Sequence, residues 1–514
     1  FDQNLLVIPD SWNEVLERLK QSALFKQINT LKDWLPSTSV GEDSTNISEA
    51  DIKHKRGELS KFAESLIFAE TANIDDFLTI SPLRYLASDF SSKVPIAVIV
   101  GAKGAGKTYT FLQVVRRKHW QRFAQATGIK EIPLNALVCP ILQSASLQVK
   151  AQTIVERTRQ ETTEALGLHA QYDPQKIKYY LRDRLKKDLH EGQWREIWLN
   201  IIAWSAGFAV DNDDAGQNFA KYLHNRDQYI VVVMDGLEDI FRKLASRESE
   251  QTALRALIQD VPEWLEQQPY RSIGLLVFVR QDMVRNAVTQ NSAQLMAKYG
   301  PYALKWNSGE ALRLVRWVTQ KAGALDNDNL AEAVLQSLGK EELVNELVPL
   351  WGRKLGSERS REGRSAEWIV LALSDYKGQI QARDLVRLLH EAAQSSIKDT
   401  HWKDRLLVPT AIRTAIGECS KAKIEEIRSE NPVLKVVFTK LTELQDNKKQ
   451  IPFTREQVSL EIDDLKILED NGVVLREGEE YYMPEIFRLG LGFTLKTGKR
   501  PRVLSLARRA QKSG

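Results

Sequence analysis

Between residues 96 and 306, short runs of uninterrupted apolar residues alternate with longer segments in which apolar positions recur every three or four residues. Residues 96–100, 135–142, 229–235, 273–280 and 302–306 read as strands, and residues 146–222 as helices weighted by Trp194, Trp198 and Trp204. Continuous apolar strands separated by helices predict an α/β fold: a parallel sheet covered by helices on both faces. Before it, residues 5–9 are extended. Residues 12–28 carry Val15, Leu16, Leu19 and Leu24 at helical spacing, residues 37–46 form a Ser/Thr/Gly-rich linker, and residues 53–70 form a second helix. After residue 307 the pattern turns helical, at 308–322, 329–338, 366–373 and 382–393, with a polar loop at 354–364. A connecting helical region at 404–429 leads to a helix ending near 444, a short 453–462 segment, a helix at 463–471 and a hairpin at 473–483. Helices followed by a two-stranded wing spell a winged helix. The expected layout is an N-terminal helical segment (1–74), a sheet domain (75–306), a helical lid (307–400), connecting helices with a winged helix (401–490) and a basic tail (491–514).

The turn after the first strand carries the chemistry. Gly101-Ala102-Lys103-Gly104-Ala105-Gly106-Lys107-Thr108 fills the pattern G-x-x-x-x-G-K-S/T of the phosphate-binding P-loop, and Tyr109 continues into the helix. Glycines let backbone N–H groups curl around a triphosphate with no Cβ in the way, and the helix N-terminus adds partial positive charge. Lys107 would reach the β- and γ-phosphates of ATP, and the Thr108 hydroxyl would ligate Mg²⁺. Val231-Val-Val-Met-Asp235 places an acid at the end of a strand, where it would hold the Mg²⁺. Glu238 and Asp239 follow; either would orient or deprotonate an attacking water, with Asp239 ahead of Glu238.

Bulk composition narrows the setting. At 43% apolar and 27% charged, the 514 residues are globular in character, and a net charge of +4 demands no polyanionic partner. Cys139 and Cys419 fit no metal or redox spacing and suit buried thiols in a reducing cytoplasm. No apolar run is long enough to span a membrane. A first residue of Phe1 rather than Met leaves room for an upstream region.

Asp235-Gly-Leu-Glu-Asp239 resembles the D-G-L-D-E signature of NACHT-type ATPases, the STAND branch of P-loop NTPases, with its last two acids exchanged. That resemblance implies that Arg280, closing the 273–280 strand, senses the γ-phosphate. The 378–389 segment, Gly-Gln-Ile-Gln-Ala-Arg-Asp-Leu-Val-Arg-Leu-Leu, resembles the lid helix of origin-loading AAA+ proteins, which implies a nucleotide contact for Arg383. The lid and the ending Tyr481-Tyr-Met-Pro-Glu-Ile-Phe487 also look like those of bacterial P-loop ATPases.

Two functions follow from these resemblances. The first is a STAND-like switch that binds and hydrolyses ATP, changes conformation and assembles into a homo-oligomer with a partner effector protein, in bacterial signalling or anti-phage defence. The second is a loader-type AAA+ ATPase that grips DNA through its winged helix and basic tail. Asp463, Asp464, Glu469 and Asp470 outnumber Lys466 on the recognition helix, which disfavours DNA there. The cations of the tail, from Lys496 to Lys512, remain for non-specific contacts.

Overall fold

A computed structural model describes residues 49–68, 77–169, 173–290, 292–325, 330–498 and 500–513. The chain divides into units 1–52 and 53–514; the first contributes only residues 49–52 to the described set, and the helix expected at 12–28 lies outside it. The second unit is the subject below.

Four parallel strands form the central sheet: β1 (Ile96–Gly101), β2 (Leu137–Leu142), β3 (Ile230–Met234) and β4 (Ile273–Arg280), in the order β1-β4-β3-β2. Nearly every strand residue is buried, as runs of Val, Ile and Leu require when helices cover both faces. The expected fifth strand shrinks to isolated bridges. A 3₁₀ turn takes Gly300–Tyr302, and Leu304 pairs in parallel with Gly101 on the free edge of β1. β1 is therefore the edge strand of the four, with its C-terminal end flanked by β4.

Helices Val149–Ala165, Pro174–Arg184, Glu191–Ser205 and Ala215–His224 fill the long connection from β2 to β3. Trp194, Trp198 and Trp204 are buried there, and the indole N–H groups of the last two donate to Ala253 O at 2.9 Å and Asn212 O at 3.1 Å. Pairing the polar edge of Trp198 and Trp204 lets their large apolar faces go into the core without an orphaned donor, whereas the buried Trp194 indole N–H has no hydrogen-bond partner. Cys139 and Cys419 are buried free thiols, as expected, and burial pushes the Cys139 thiol up to about 12.

The lid contains helices Ser308–Lys321, Glu332–Ser337, Lys340–Glu346, Val348–Trp351, Ser365–Ala372 and Ala382–Ser396. The N-terminal helix Glu49–Ile67 is fastened to it. Arg56 is 1% exposed and donates to the carbonyls of Ser396, Asp399 and Leu406 at 2.6–2.7 Å, while Phe62 faces Trp317 at 6.0 Å. A guanidinium with its donors spent on carbonyls is tolerated in a core where a bare charge is not.

The connecting helix Pro409–Glu430 runs into helix Pro432–Thr442, strand β5 (Gln450–Ile451), helices Arg455–Val458 and Ile462–Asp470, and the hairpin of β6 (Leu475–Glu477) with β7 (Glu480–Tyr482). Phe453 and Tyr481 exchange backbone bonds of 3.1 and 2.8 Å, tying the segment after β5 to the hairpin in the order of a winged helix. The basic tail is a helix, Arg500–Ser513. Val503, Leu506 and Ala507 are its buried face, and Arg508 reaches Glu367 of the lid at 2.9 Å. Its apolar positions at helical spacing explain why a segment with so many cations docks instead of trailing into solvent.

Candidate functional site

The glycine-rich turn closes β1 and opens helix Lys107–Arg117, with Gly104 and Gly106 in left-handed backbone at φ +74° and +97°. Trp306 Nε1 donates to Ala105 O at 2.9 Å and anchors the back of the loop. Lys107 is 9% exposed; its ammonium donates to Gly101 O at 3.1 Å and Ala102 O at 2.9 Å. Burial lowers its pKa, while Asp235 and Glu238 oppose that shift. Ala102, Lys103 and Ala105 build the body of the loop. Tyr109 directs its ring toward Phe77, 6.5 Å away, so only its backbone belongs to the first helical turn.

Thr108 and Asp235 meet across the gap between β1 and β3: the hydroxyl donates to Asp235 Oδ2 at 2.8 Å. Asp235 is 2% exposed, and burial first, then the charge of Glu238, pushes its carboxyl up to about 7. A carboxylate destabilised by burial and by the like charge of Glu238, held against a hydroxyl, fits a divalent cation that draws its other ligands from phosphate and water. Among the described residues no three His, Cys, Asp or Glu form a group that could hold a metal ion.

The two following acids, Glu238 and Asp239, stand in different surroundings. Leu237–Asp239 is a 3₁₀ turn, so residues three apart eclipse and Asp239 returns to the side of Gly236. Its Oδ2 there accepts from Ala145 N at 2.5 Å. Glu238 is instead the acid whose charge acts on both Asp235 and Lys107.

Arg280 ends β4 opposite Gly101, beside the loop as its strand position implied. It makes a two-pronged pair with Asp282, Nε to Oδ1 at 3.0 Å and Nη2 to Oδ2 at 2.8 Å, and its charge reaches Lys107. Arg383 lies in the first turn of the lid helix Ala382–Ser396. Its backbone N–H donates to Gly104 O at 3.2 Å, whereas its guanidinium turns to Glu426 at 3.4 Å. The lid therefore rests on the phosphate loop itself. Gln379 adds a second link from lid to sheet, to Gln281 at 3.3 Å.

The contacts of Trp306, Asp282, Ala145 and Glu426 escaped the sequence reading. Asp282, an acid two residues past Arg280, was visible there; the others act on partners tens to hundreds of residues away and leave no local pattern.

No family model and no curated protein matches the chain. Among solved structures it is similar to the ORC2 protein of Aeropyrum pernix in ADPNP–ADP complexes, at 12% identity and TM-score 0.37, over 84% of this chain and 92% of that one. CDC6P from Pyrobaculum aerophilum follows at 13% identity and TM-score 0.28, with coverage of 84% and 92%. The ADP form of the Aeropyrum pernix ORC2 protein matches at 14% and 0.28, with coverage of 84% and 93%. Scores this low leave the reading of the site to its own geometry.

Gly236 supplies a test of that geometry. Its φ is +75°, and a Cβ there would fall 2.4 Å from Ser144 N, against the backbone that flanks Asp235. Gly236→Ala is expected to destabilise the protein by about 2 kcal/mol or more, as strained left-handed positions with a backbone clash do. Denaturant unfolding checks this; wild-type stability in the variant would contradict the close approach.

Proposed function

We propose that the protein is an ATP-binding and hydrolysing P-loop ATPase of the AAA+ class, in the loader-type arrangement of sheet, lid and winged helix. The observation that carries this is the double closure of one loop: Thr108 joined to Asp235 on one side, and the lid seated on Gly104 through Arg383 on the other. A lid in backbone contact with the phosphate loop supports movement coupled to nucleotide. The ORC2 and CDC6P names of the similar solved structures lie with the loader reading rather than with the STAND switch. Homo-oligomerisation belongs to the proposal. An effector protein and a defence role are not part of it. Among the described residues no helix is long and apolar enough to cross a membrane.

In this reading Lys107 exchanges the carbonyls of Gly101 and Ala102 for β- and γ-phosphate oxygens. Thr108 Oγ1 and Asp235 hold Mg²⁺, which when bound offsets the charge that gathers on the phosphate oxygens. Glu238 accepts a proton from the attacking water as the bond from the γ-phosphorus to the bridging oxygen breaks, giving ADP and phosphate. Arg280 leaves Asp282 to pair with the γ-phosphate through its planar fork.

Nucleotide titration and turnover check these roles together. Lys107→Ala is expected to abolish ATP binding. Glu238→Gln should bind ATP yet hydrolyse it about 100-fold more slowly or worse, the usual scale of a lost general base. Asp239→Asn should stay within a few-fold of wild type. Arg280→Ala should weaken ATP more than ADP. Wild-type affinity in Lys107→Ala would remove the site, and a slow Asp239→Asn with a fast Glu238→Gln would return the base to Asp239.

A DNA contact forms a second reading, moved from the winged helix to the C-terminal helix. Lys440 of the preceding helix is taken by Asp464 at 2.6 Å, and Glu477 at the wing turn takes Arg502 and, at 2.8 Å, Arg509, so the winged-helix face has its cations paired with acids. The side chains of Arg508 and Arg509 are 51% and 58% exposed on the tail helix. Fluorescence anisotropy with a labelled duplex at low salt should show binding that Arg508→Ala/Arg509→Ala weakens by about tenfold, in line with two lost phosphate contacts. Unchanged affinity in that variant, or no binding by the wild type, would end this reading.

A further inference from the structure

The lid helix Ala382–Ser396 and the connecting helix Pro409–Glu430 share a charged seam beside the phosphate loop. Glu426, on the connecting helix, accepts from Arg387 Nη2 at 2.8 Å and from Arg383 Nη1 at 3.4 Å. Asp384, fully buried, takes Lys423 Nζ at 2.7 Å and lies 3.8 Å from Arg387 Nη1. Lys103 of the phosphate loop acts on Glu426 as well. Against the cost of burial, Arg383, Arg387 and Lys103 together hold the Glu426 carboxyl below its ordinary value. Four cations, Lys103, Arg383, Arg387 and Lys423, thus face Asp384 and Glu426.

The two arginines on Glu426 are held differently. Arg387 is 11% exposed, short in its contact and flanked by Asp384. Arg383 is 25% exposed and long in its contact. Its Cβ stands 3.3 Å from where a Cβ on Gly104 would be, so its side chain starts from the loop and reaches away from it. Rotation about its own side-chain bonds turns that guanidinium from the carboxylate toward the loop, while Arg387 keeps Glu426 in place.

We propose that Glu426 is a specificity-determining residue that competes with the γ-phosphate of ATP for Arg383, and so sets the preference for ATP over ADP. The proposal rests on the nucleotide reading given above. A carboxylate and a terminal phosphate oxygen offer the same partner to a guanidinium, and ADP lacks the group that wins the exchange. The exchange also reaches the rest of the chain. Glu426 lies one turn from the end of the connecting helix, whose next residue, Asn431, caps helix Pro432–Thr442 by accepting from Val433 N and Leu434 N. Release of Arg383 from Glu426 removes one tie between the lid helix and the helix that leads into the winged-helix module, while the Arg387–Glu426 and Lys423–Asp384 pairs remain.

The test is paired titration with ATP and ADP in Mg²⁺ of the full chain and three variants: Glu426→Gln, Arg383→Ala and the double variant. Glu426→Gln should tighten ATP by roughly fivefold or more, the lower range of an allosteric coupling, and leave ADP within about twofold. Arg383→Ala should weaken ATP selectively. In the Arg383→Ala background, Glu426→Gln should have no further effect on ATP, because the arginine they compete for is gone. An equal change for both nucleotides, no change for either, or a full Glu426→Gln effect in the double variant overturns the proposal while leaving the nucleotide site standing. If the wild type binds neither nucleotide, the site reading falls and the proposal with it.

Discussion

The lid touches the phosphate loop at a residue with no side chain. A Cβ at Gly104 would lie 2.9 Å from Gln381 Oε1 and 3.3 Å from the Arg383 Cβ, and the backbone there is left-handed at φ +74°. Glycine is required by the turn that curls N–H groups into a cradle, and it leaves the lid room to approach closely. Sheet and lid are far apart in sequence, and this contact brings them to one point. Through Gln379, Gln381 and Arg383, the position of the lid depends on the shape of a loop whose shape depends on what it holds.

Charge supplies the second half of the device. Each group that would meet a triphosphate or its metal has an internal partner in this structure: Lys107 the carbonyls of Gly101 and Ala102, Thr108 the carboxylate of Asp235, Arg280 the carboxylate of Asp282, Arg383 that of Glu426. Buried or half-buried charges left without partners would each cost several kcal/mol. Binding therefore exchanges contacts instead of simply adding them, and net affinity is a difference between two well-paired states. In the proposed function that difference would turn the presence of one phosphate into motion, a ligand bearing the third phosphate competing with Asp282 and Glu426 for their arginines.

Local pattern revealed the phosphate loop, the acid closing β3, the arginine closing β4 and all four ladder strands, because each is specified by neighbours within about ten residues and by the bury-both-faces rule for parallel sheets. The expected strand at 302–306 was misread because an apolar run says nothing about how many bonds its edge partner offers; Leu304 finds one bridge to Gly101 beside a 3₁₀ turn. Glu238 and Asp239 both suit the chemistry, and the 3₁₀ turn that sets them apart is not written in the local pattern of acids. The tail was seen as charge, and its apolar face at Val503, Leu506 and Ala507 went unweighed. Glu426 was invisible, since nothing near it in sequence tells that a helix forty residues after Arg383 returns to it.

The central claim is that one nucleotide site is built from the phosphate loop and the start of the lid helix together. Hydrogen exchange of backbone amides, followed by mass spectrometry with and without Mg²⁺ and a non-hydrolysable ATP analogue, tests it most directly. The account predicts slowed exchange in two separate segments at once, the loop at 101–109 and the lid at 379–387, with a smaller change from ADP in the second. Protection of the loop with no change in the lid, or of neither segment while the analogue protects another region, would contradict it.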